Sequence, residues 1–190
     1  MSPRERFEGT PTVLIVDDEP GLVELFSAYL EGACETKTAT TGREALDLVD
    51  DSIDVALVDR RMPEMTGDEA LEELRTAGYR FPVAMVSAVQ PDIDIIDMPF
   101  DGYLTKPVSR DALLDLVEIL VCRQEYDEQS REFFRLAAKK RSLEANPQVE
   151  TGPDTEYSRL ARRMDELQSE LNETLEELLE NDPAHTTVLD

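Results

Sequence analysis

Five polar residues stand at the ends of short apolar runs: Asp17 and Asp18 after VLIV, Asp59 after VALV, Ser87 after VAMV, and Lys106 after DGYL and Thr105. Runs of this kind read as parallel strands buried on both faces, and open α/β sheets gather their ligands beyond the carboxyl ends of such strands. Three carboxylates, a hydroxyl and an ammonium would therefore meet in one place. Adjacent acids at a strand end repel, at a cost of roughly 4 kcal/mol for two charges 4 Å apart at an effective dielectric near 20. A hard divalent cation removes that cost, and Mg2+ is satisfied by two or three carboxylates completed by water and phosphate oxygens. A carboxylate can attack phosphorus to form an acyl phosphate while the metal shields it from the incoming dianion. The set therefore fits metal-assisted transfer of a phosphoryl group onto Asp59, with the Lys106 charge and the Ser87 hydroxyl meeting the transferred oxygens. Each residue alone has a plainer account: solvated turn acids or a helix cap, a surface lysine, a strand-end serine bonded to its own backbone. Common placement is what argues for a site.

The elements that must position these residues alternate along the chain. From Pro11 to about Arg123, short apolar runs alternate with helix-period segments, the pattern of repeated βα units around a parallel sheet. The runs predict strands near 12–16, 34–39, 53–58, 82–86 and 102–105, and helices near 20–31, 42–50, 67–77, 92–97 and 110–123. Thr41 with Glu44 and Thr66 with Glu69 have the capping-box spacing. Pro20 suits a first helical turn, and Ser109 suits the cap of the last of these helices. The fold class is α/β, a doubly wound five-stranded parallel sheet of the flavodoxin-like kind.

Composition bounds the rest. A chain of 190 residues has room for one ordinary domain and a smaller appendage. No apolar stretch approaches the roughly 20 residues that cross a bilayer, and MSPRERFEGT has no apolar core of a signal peptide, which points to the cytoplasm and away from membranes. Cys34 and Cys122 are far apart in sequence and read as reduced thiols. The formal net charge of -24 repels nucleic acid and membranes at moderate ionic strength but keeps a surface hydrated in very high salt. It predicts a halophilic archaeal host, with an ordinary acidic bacterial protein as the alternative.

The site residues and their order resemble the receiver domain of two-component response regulators, over Pro11 to about Arg123. The matching positions are the acid pair Asp17 and Asp18, Asp59 with Met62 and Pro63, Ser87 with Ala88, and Lys106 with Pro107. The resemblance implies that Asp17, Asp18, Asp59 and the backbone carbonyl of Arg61 hold Mg2+, that Lys106-Pro107 is a cis peptide, and that a sensor histidine kinase donates the phosphoryl group to Asp59. It implies a switch in which the Ser87 hydroxyl is drawn toward the phosphate and Tyr103 turns inward. It also implies a protein that phosphorylates and dephosphorylates itself without turning over an outside substrate. Aspartyl-phosphate phosphatases usually carry a second acid two residues after the nucleophile, where this chain has Arg61. One departure concerns VQPDIDIIDMPFD, shorter than usual by about one helical turn, which predicts a reduced helix at 92–97. Another is the Arg60-Arg61 pair after Asp59, placed to screen phosphate charge or hinder a hydrolytic water.

Beyond Cys122 strand-like runs vanish. Tyr126, Phe133 and Ala137 share one helical face, and after a Pro/Gly-containing break Leu160, Met164, Leu167, Leu171 and Leu178 form a narrow coiled-coil-like seam. A helix with so narrow a stripe needs a partner, so the segment predicts an antiparallel hairpin or one arm of a dimer, a homodimer or a contact with another protein, with a frayed tail from Asn181. The domains expected are a receiver over 11–123 and a helical output module over 124–181. No zinc pattern or standard DNA-reading domain is visible. YDEQSREFFRLAAKKRSLEA and the Glu/Leu-rich helix after it look like the HalX module that follows receivers in halophilic archaea. Lys139, Lys140 and Arg141 would meet Arg159, Arg162 and Arg163 near the tip of a hairpin. Such a basic tip could touch phosphates or an acidic partner, while pairing with Glu144, Asp165 and Glu166 is the plainer account. A transcriptional regulator that contacts DNA through these helices is the alternative function, and a receiver that no longer cycles is a third.

Overall fold

The computed structural model describes residues 7, 9–89, 99–144, 152 and 155–181. The expected helix at 92–97 and the tail beyond Asn181 lie outside them.

Five parallel strands form one sheet in the order β2-β1-β3-β4-β5: β1 Thr12–Val16, β2 Glu35–Ala39, β3 Val55–Val58, β4 Val83–Ser87 and β5 Gly102–Thr105. Alternate residues of the central strands feed two cores. Val13, Ile15, Val55 and Leu57 face helix α1 (Pro20–Leu30) and the start of α4 (Arg110–Glu144), whose Leu113, Val117 and Leu120 are fully buried. Leu14, Val16, Ala56 and Val58 face α2 (Gly42–Leu48) and α3 (Gly67–Thr76) through Ala45, Leu71 and Leu74. Coverage on both faces is why VLIV, VALV and VAMV are apolar at every position. Full burial of each such side chain contributes roughly 1.5–3 kcal/mol.

Local signals act as expected at most boundaries. Pro20 opens α1, Thr66 and Glu69 close a reciprocal capping box, and the Ser109 hydroxyl accepts from the Ala112 amide at 3.2 Å. At α2 the box is shifted: Thr41 accepts from the Glu44 amide, but the Glu44 carboxylate reaches back to the amide and hydroxyl of Thr40. Helix α2 stops at Leu48, two residues earlier than expected, because Val49 turns extended. Strand β3 starts at Val55 rather than 53, since the Asp54 carboxylate turns away to accept the Thr12 amide at 2.7 Å.

The largest departure is α4. The helix expected to end near 123 runs 35 residues to Glu144, with no Gly or Pro to stop it. The chain divides into two compact units inside this helix, Met1–Val121 and Cys122–Asp190.

In the second unit α4 and α5 (Glu156–Asn181) form an antiparallel hairpin, since their cross-links run in opposite order. Glu144 bonds to Tyr157 at 2.6 Å, Glu132 to Arg163 at 3.4 Å, Gln129 to Thr174 at 3.1 Å, and Cys122 to Glu177 at 3.9 Å. The seam on α5 is the expected one with Thr174 added. Leu167 and Thr174 are buried and the other seam residues half-buried. Neither cysteine forms a disulfide. Among the described residues no helix is long and apolar enough to cross a membrane.

Candidate functional site

Strand pairing carries on past the last residue of each strand and fixes the site. The Asp17 amide donates to Ala39 of β2, the Asp59 amide to Val16 of β1 at 2.8 Å, and the Lys106 amide to Ser87 of β4 at 2.9 Å. Register alone therefore brings Asp17, Asp59, Ser87 and Lys106 to the carboxyl ends of neighbouring strands, at one end of the sheet.

The acids converge there. Asp17, Asp18 and Asp59 each offer a carboxylate oxygen within 4.8 Å of the others. Asp17 and Asp59 are buried and Asp18 is half-buried. The Lys106 ammonium donates to Asp17 Oδ2 at 2.7 Å and lies 3.5 Å from Asp59 Oδ2, while Asp17 Oδ1 accepts the Glu19 amide at 3.0 Å. Desolvation pushes the Asp59 carboxyl above its ordinary range, against the pull of Lys106, with the charge of Asp17 adding to the rise and a backbone hydrogen bond from Arg61 opposing it. Three closely spaced oxygen donors and a single ammonium are a donor set that a hard divalent cation fits.

Around this core, Ser87 is buried and its hydroxyl accepts the Val89 amide at 3.3 Å. The half-buried Tyr103 donates its hydroxyl to the Val89 carbonyl at 2.6 Å and packs its ring 5.8 Å from that of Phe100. The Lys106-Pro107 peptide is cis. The two arginines after Asp59 part company. Arg61 is exposed, whereas Arg60 is buried with its Nε bonded to Asp68 Oδ2 at 3.1 Å, so its side chain is engaged with the first turn of α3.

Two residues that the sequence did not single out support the site. Gly67 donates to the Arg60 carbonyl at 2.9 Å, and a Cβ there would run into the Asp59 carbonyl and lie 3.0 Å from the Arg60 Cα. Its visible signal was the Thr66-Gly67 step at a helix start, which carries no hint of what packs behind it. Asp68 receives Arg60, and only its place in the first helical turn was legible.

The sequence profile of the response regulator receiver domain matches residues 13–118. The chain belongs to the response regulator receiver family. The profile of the HalX domain matches residues 122–187. A Haloferax volcanii protein named "Putative transcriptional regulator" is 40% identical over 170 residues, covering 89% of this chain and 29% of that protein. The transcriptional regulatory protein CpxR of Escherichia coli is 33% identical over 123 residues, covering 63% of this chain and 53% of CpxR. This response regulator thus spans only part of the length of these relatives. The crystal structure of a CheY-like response regulator receiver domain protein from Methanospirillum hungatei superposes with a TM-score of 0.58 at 26% identity, over 63% of this chain and 99% of that one. The five-stranded receiver fold and the C-terminal helical module are as the sequence led us to expect.

Proposed function

We propose that the receiver accepts a phosphoryl group on Asp59 from a sensor histidine kinase and passes the change to the helical HalX module. The observation that carries this reading is the Lys106 ammonium set between Asp17 and Asp59 within a cluster of three carboxylates. An Asp59 oxygen forms the new bond to phosphorus as the bond from phosphorus to the donor nitrogen breaks. Asp17, Asp18, Asp59 and the Arg61 carbonyl would hold Mg2+, which when bound neutralises the acids and the transferred oxygens. Lys106 stabilises charge on the phosphoryl group, and the Ser87 hydroxyl exchanges the Val89 amide for a phosphoryl oxygen. Tyr103 is coupled to that exchange because it too holds Val89, through its carbonyl. The protein cycles its own acyl phosphate and turns over no outside substrate.

The site of action is the cytoplasm of a halophilic archaeon, a reading supported by the charge of -24 and the Haloferax relative. Phosphotransfer from a kinase or acetyl phosphate tests the central claim. Acid-stable, base-labile labelling of wild type with Mg2+, lost in Asp59→Asn, is expected. An unlabelled wild type, as in a receiver that no longer cycles, overturns it.

A second reading, favoured by the relatives' names, has the helical module contact DNA. In the hairpin Lys140 pairs with Glu144 at 3.8 Å, Arg159 with Glu156, and Arg163 with Glu166 at 3.8 Å, so much of the basic tip is engaged within the module. Promoter binding that weakens steeply with salt would support DNA contact, and no binding at the lowest salt that keeps the fold would end it.

A further inference from the structure

The hairpin has two flanks of opposite character. By heptad spacing Glu125, Glu132 and Lys139 of α4 fall on the same side of the seam as Arg163, Glu170 and Glu177 of α5, the side on which Arg163 meets Glu132. All are charged, and Arg163 knits this flank together within one copy by pairing with Glu132 and Glu170. The other flank is nearly neutral at its centre. On it Phe134 is 67% exposed near the middle of the α4 half of the hairpin, and Leu175 and Leu179, 41% and 52% exposed on α5, lie toward the end where Glu177 meets Cys122. On a chain this acidic, large apolar side chains collected on the less charged side of a helical pair mark a contact surface.

The charges on that α4 flank choose the occupant. Asp127, Phe134 and Arg141 follow one another at steps of seven, all exposed, with Arg123, Ser130, Ala137 and Glu144 interleaved. The order of signs is complementary to its own reverse. Laid antiparallel to itself about Phe134, the stripe sets Asp127 against Arg141 and brings the small Ser130 and Ala137 together, with the two phenylalanines at the centre, while Glu144 stays bonded to Tyr157 and paired with Lys140 within its own hairpin. Laid parallel, it sets like charge against like. Self-complementarity of one patch is the requirement of a two-fold dimer, and charge pattern is what fixes orientation when helices pair.

We propose that a second copy of this chain docks antiparallel on the α4 stripe centred on Phe134, converting two hairpins into a four-helix bundle. Leu175 and Leu179, on the same flank, enlarge the apolar area, and the small residues Ser130 and Ala137 let the helices approach. The contact lies wholly within the HalX module and is expected in Asp59→Asn as well, so its failure and the failure of phosphotransfer are separate results.

The test is the mass of the full-length chain by sedimentation equilibrium, at the lowest salt that keeps the fold. Wild type should be a dimer. Asp127→Arg or Arg141→Asp should each weaken the dimer about tenfold, since a two-fold contact carries the mismatch twice. The double variant should recover to within about threefold of wild type, because the pairing is restored with signs exchanged. A wild type that is monomeric at high micromolar concentration, whatever other partner it has, overturns the proposal. So do single variants that dimerise as wild type, or a folded double variant that does not recover. Phe134→Cys in a Cys122→Ser background gives an independent readout. Oxidation should yield a covalent dimer in high yield, and a monomeric product refutes a crossing at Phe134.

Discussion

The Lys106 ammonium is 2.7 Å from Asp17 Oδ2 and 3.5 Å from Asp59 Oδ2, so the lysine leans on an acid of the proposed cation site more closely than on Asp59, the proposed phosphoacceptor. Its charge offsets part of what a divalent cation would offset. Lysine and a bound cation would therefore share the same carboxylates, and the proposed site implies that the pairing loosens when a second cation enters.

Lys106→Met should accordingly bind Mg2+ more tightly in the unphosphorylated protein. Removing one positive charge about 5 Å from a dication at near-aqueous dielectric is worth on the order of tenfold in affinity. The chain has no tryptophan, so calorimetric titration is the suitable measurement. Unchanged or weaker binding would show that Lys106 does not compete. Phosphotransfer to the same variant should fall, because the transferred oxygens lose their ammonium.

Gly67→Ala should damage the site from behind. The added methyl meets backbone atoms of Asp59 and Arg60, which cannot move aside as a flexible side chain could. Overpacking of this kind costs about 1–3 kcal/mol, and thermal unfolding should show it. Labelling of Asp59 should fall further than stability does, since the displaced atoms belong to the nucleophile's own residue. Wild-type labelling in a folded Gly67→Ala protein would refute the link.

What the sequence disclosed and what it hid follow from the range of the forces involved. VLIV, VALV and VAMV were legible because both faces of the central strands are covered, and strand register then delivers Asp17, Asp59, Ser87 and Lys106 with no further information. Caps at Thr66 and Ser109 were legible because they are local. Gly67 was not, since its constraint comes from Asp59 eight residues earlier, folded back against it. Nor was the Arg75 clamp, whose guanidinium reaches the Phe81 carbonyl at 2.9 Å and Asp101 at 3.1 Å and so ties α3 to the start of β5. Thr174 was missed in the seam because a polar residue breaks an apolar pattern, and only the structure shows Gln129 opposite it. The run of α4 through Cys122 and Arg123 is hidden in the sequence because its buried face changes partner there, from the sheet to α5.

Arg60 and Arg61 should behave differently despite being neighbours. Arg61 is exposed and its backbone bonds to Asp59, so its side chain can cover the approach of water to an acyl phosphate. Arg61→Ala should speed autodephosphorylation on the order of fivefold, roughly 1 kcal/mol of barrier. A rate within twofold of wild type would remove Arg61 from the account. Arg60→Ala should instead cost stability, about 1–3 kcal/mol, because Asp68 already has one buried carboxylate oxygen without a partner and would lose the bond to the other. Urea unfolding separates the two effects.

Cys34 makes stability depend on pH on the alkaline side. Burial, reinforced by the nearby charge of Asp54, pushes its thiol up to about 12, whereas a thiol in the unfolded chain titrates near about 8.5. Between those values the folded state keeps a proton that the unfolded state has lost. The unfolded state therefore binds fewer protons, and stability falls as pH rises through this window, while below it the group has no effect. Lysines and tyrosines titrate over part of the same range, so the informative quantity is the difference between wild type and Cys34→Val. Thermal midpoints of the two proteins, measured in the same salt from pH 8 to pH 11 (about the lower part of the window), should converge or cross as wild type loses its advantage. Curves that stay parallel would mean that Cys34 ionises as readily folded as unfolded. The same burial predicts that native Cys34 resists thiol reagents at neutral pH, because the thiolate is the reactive form.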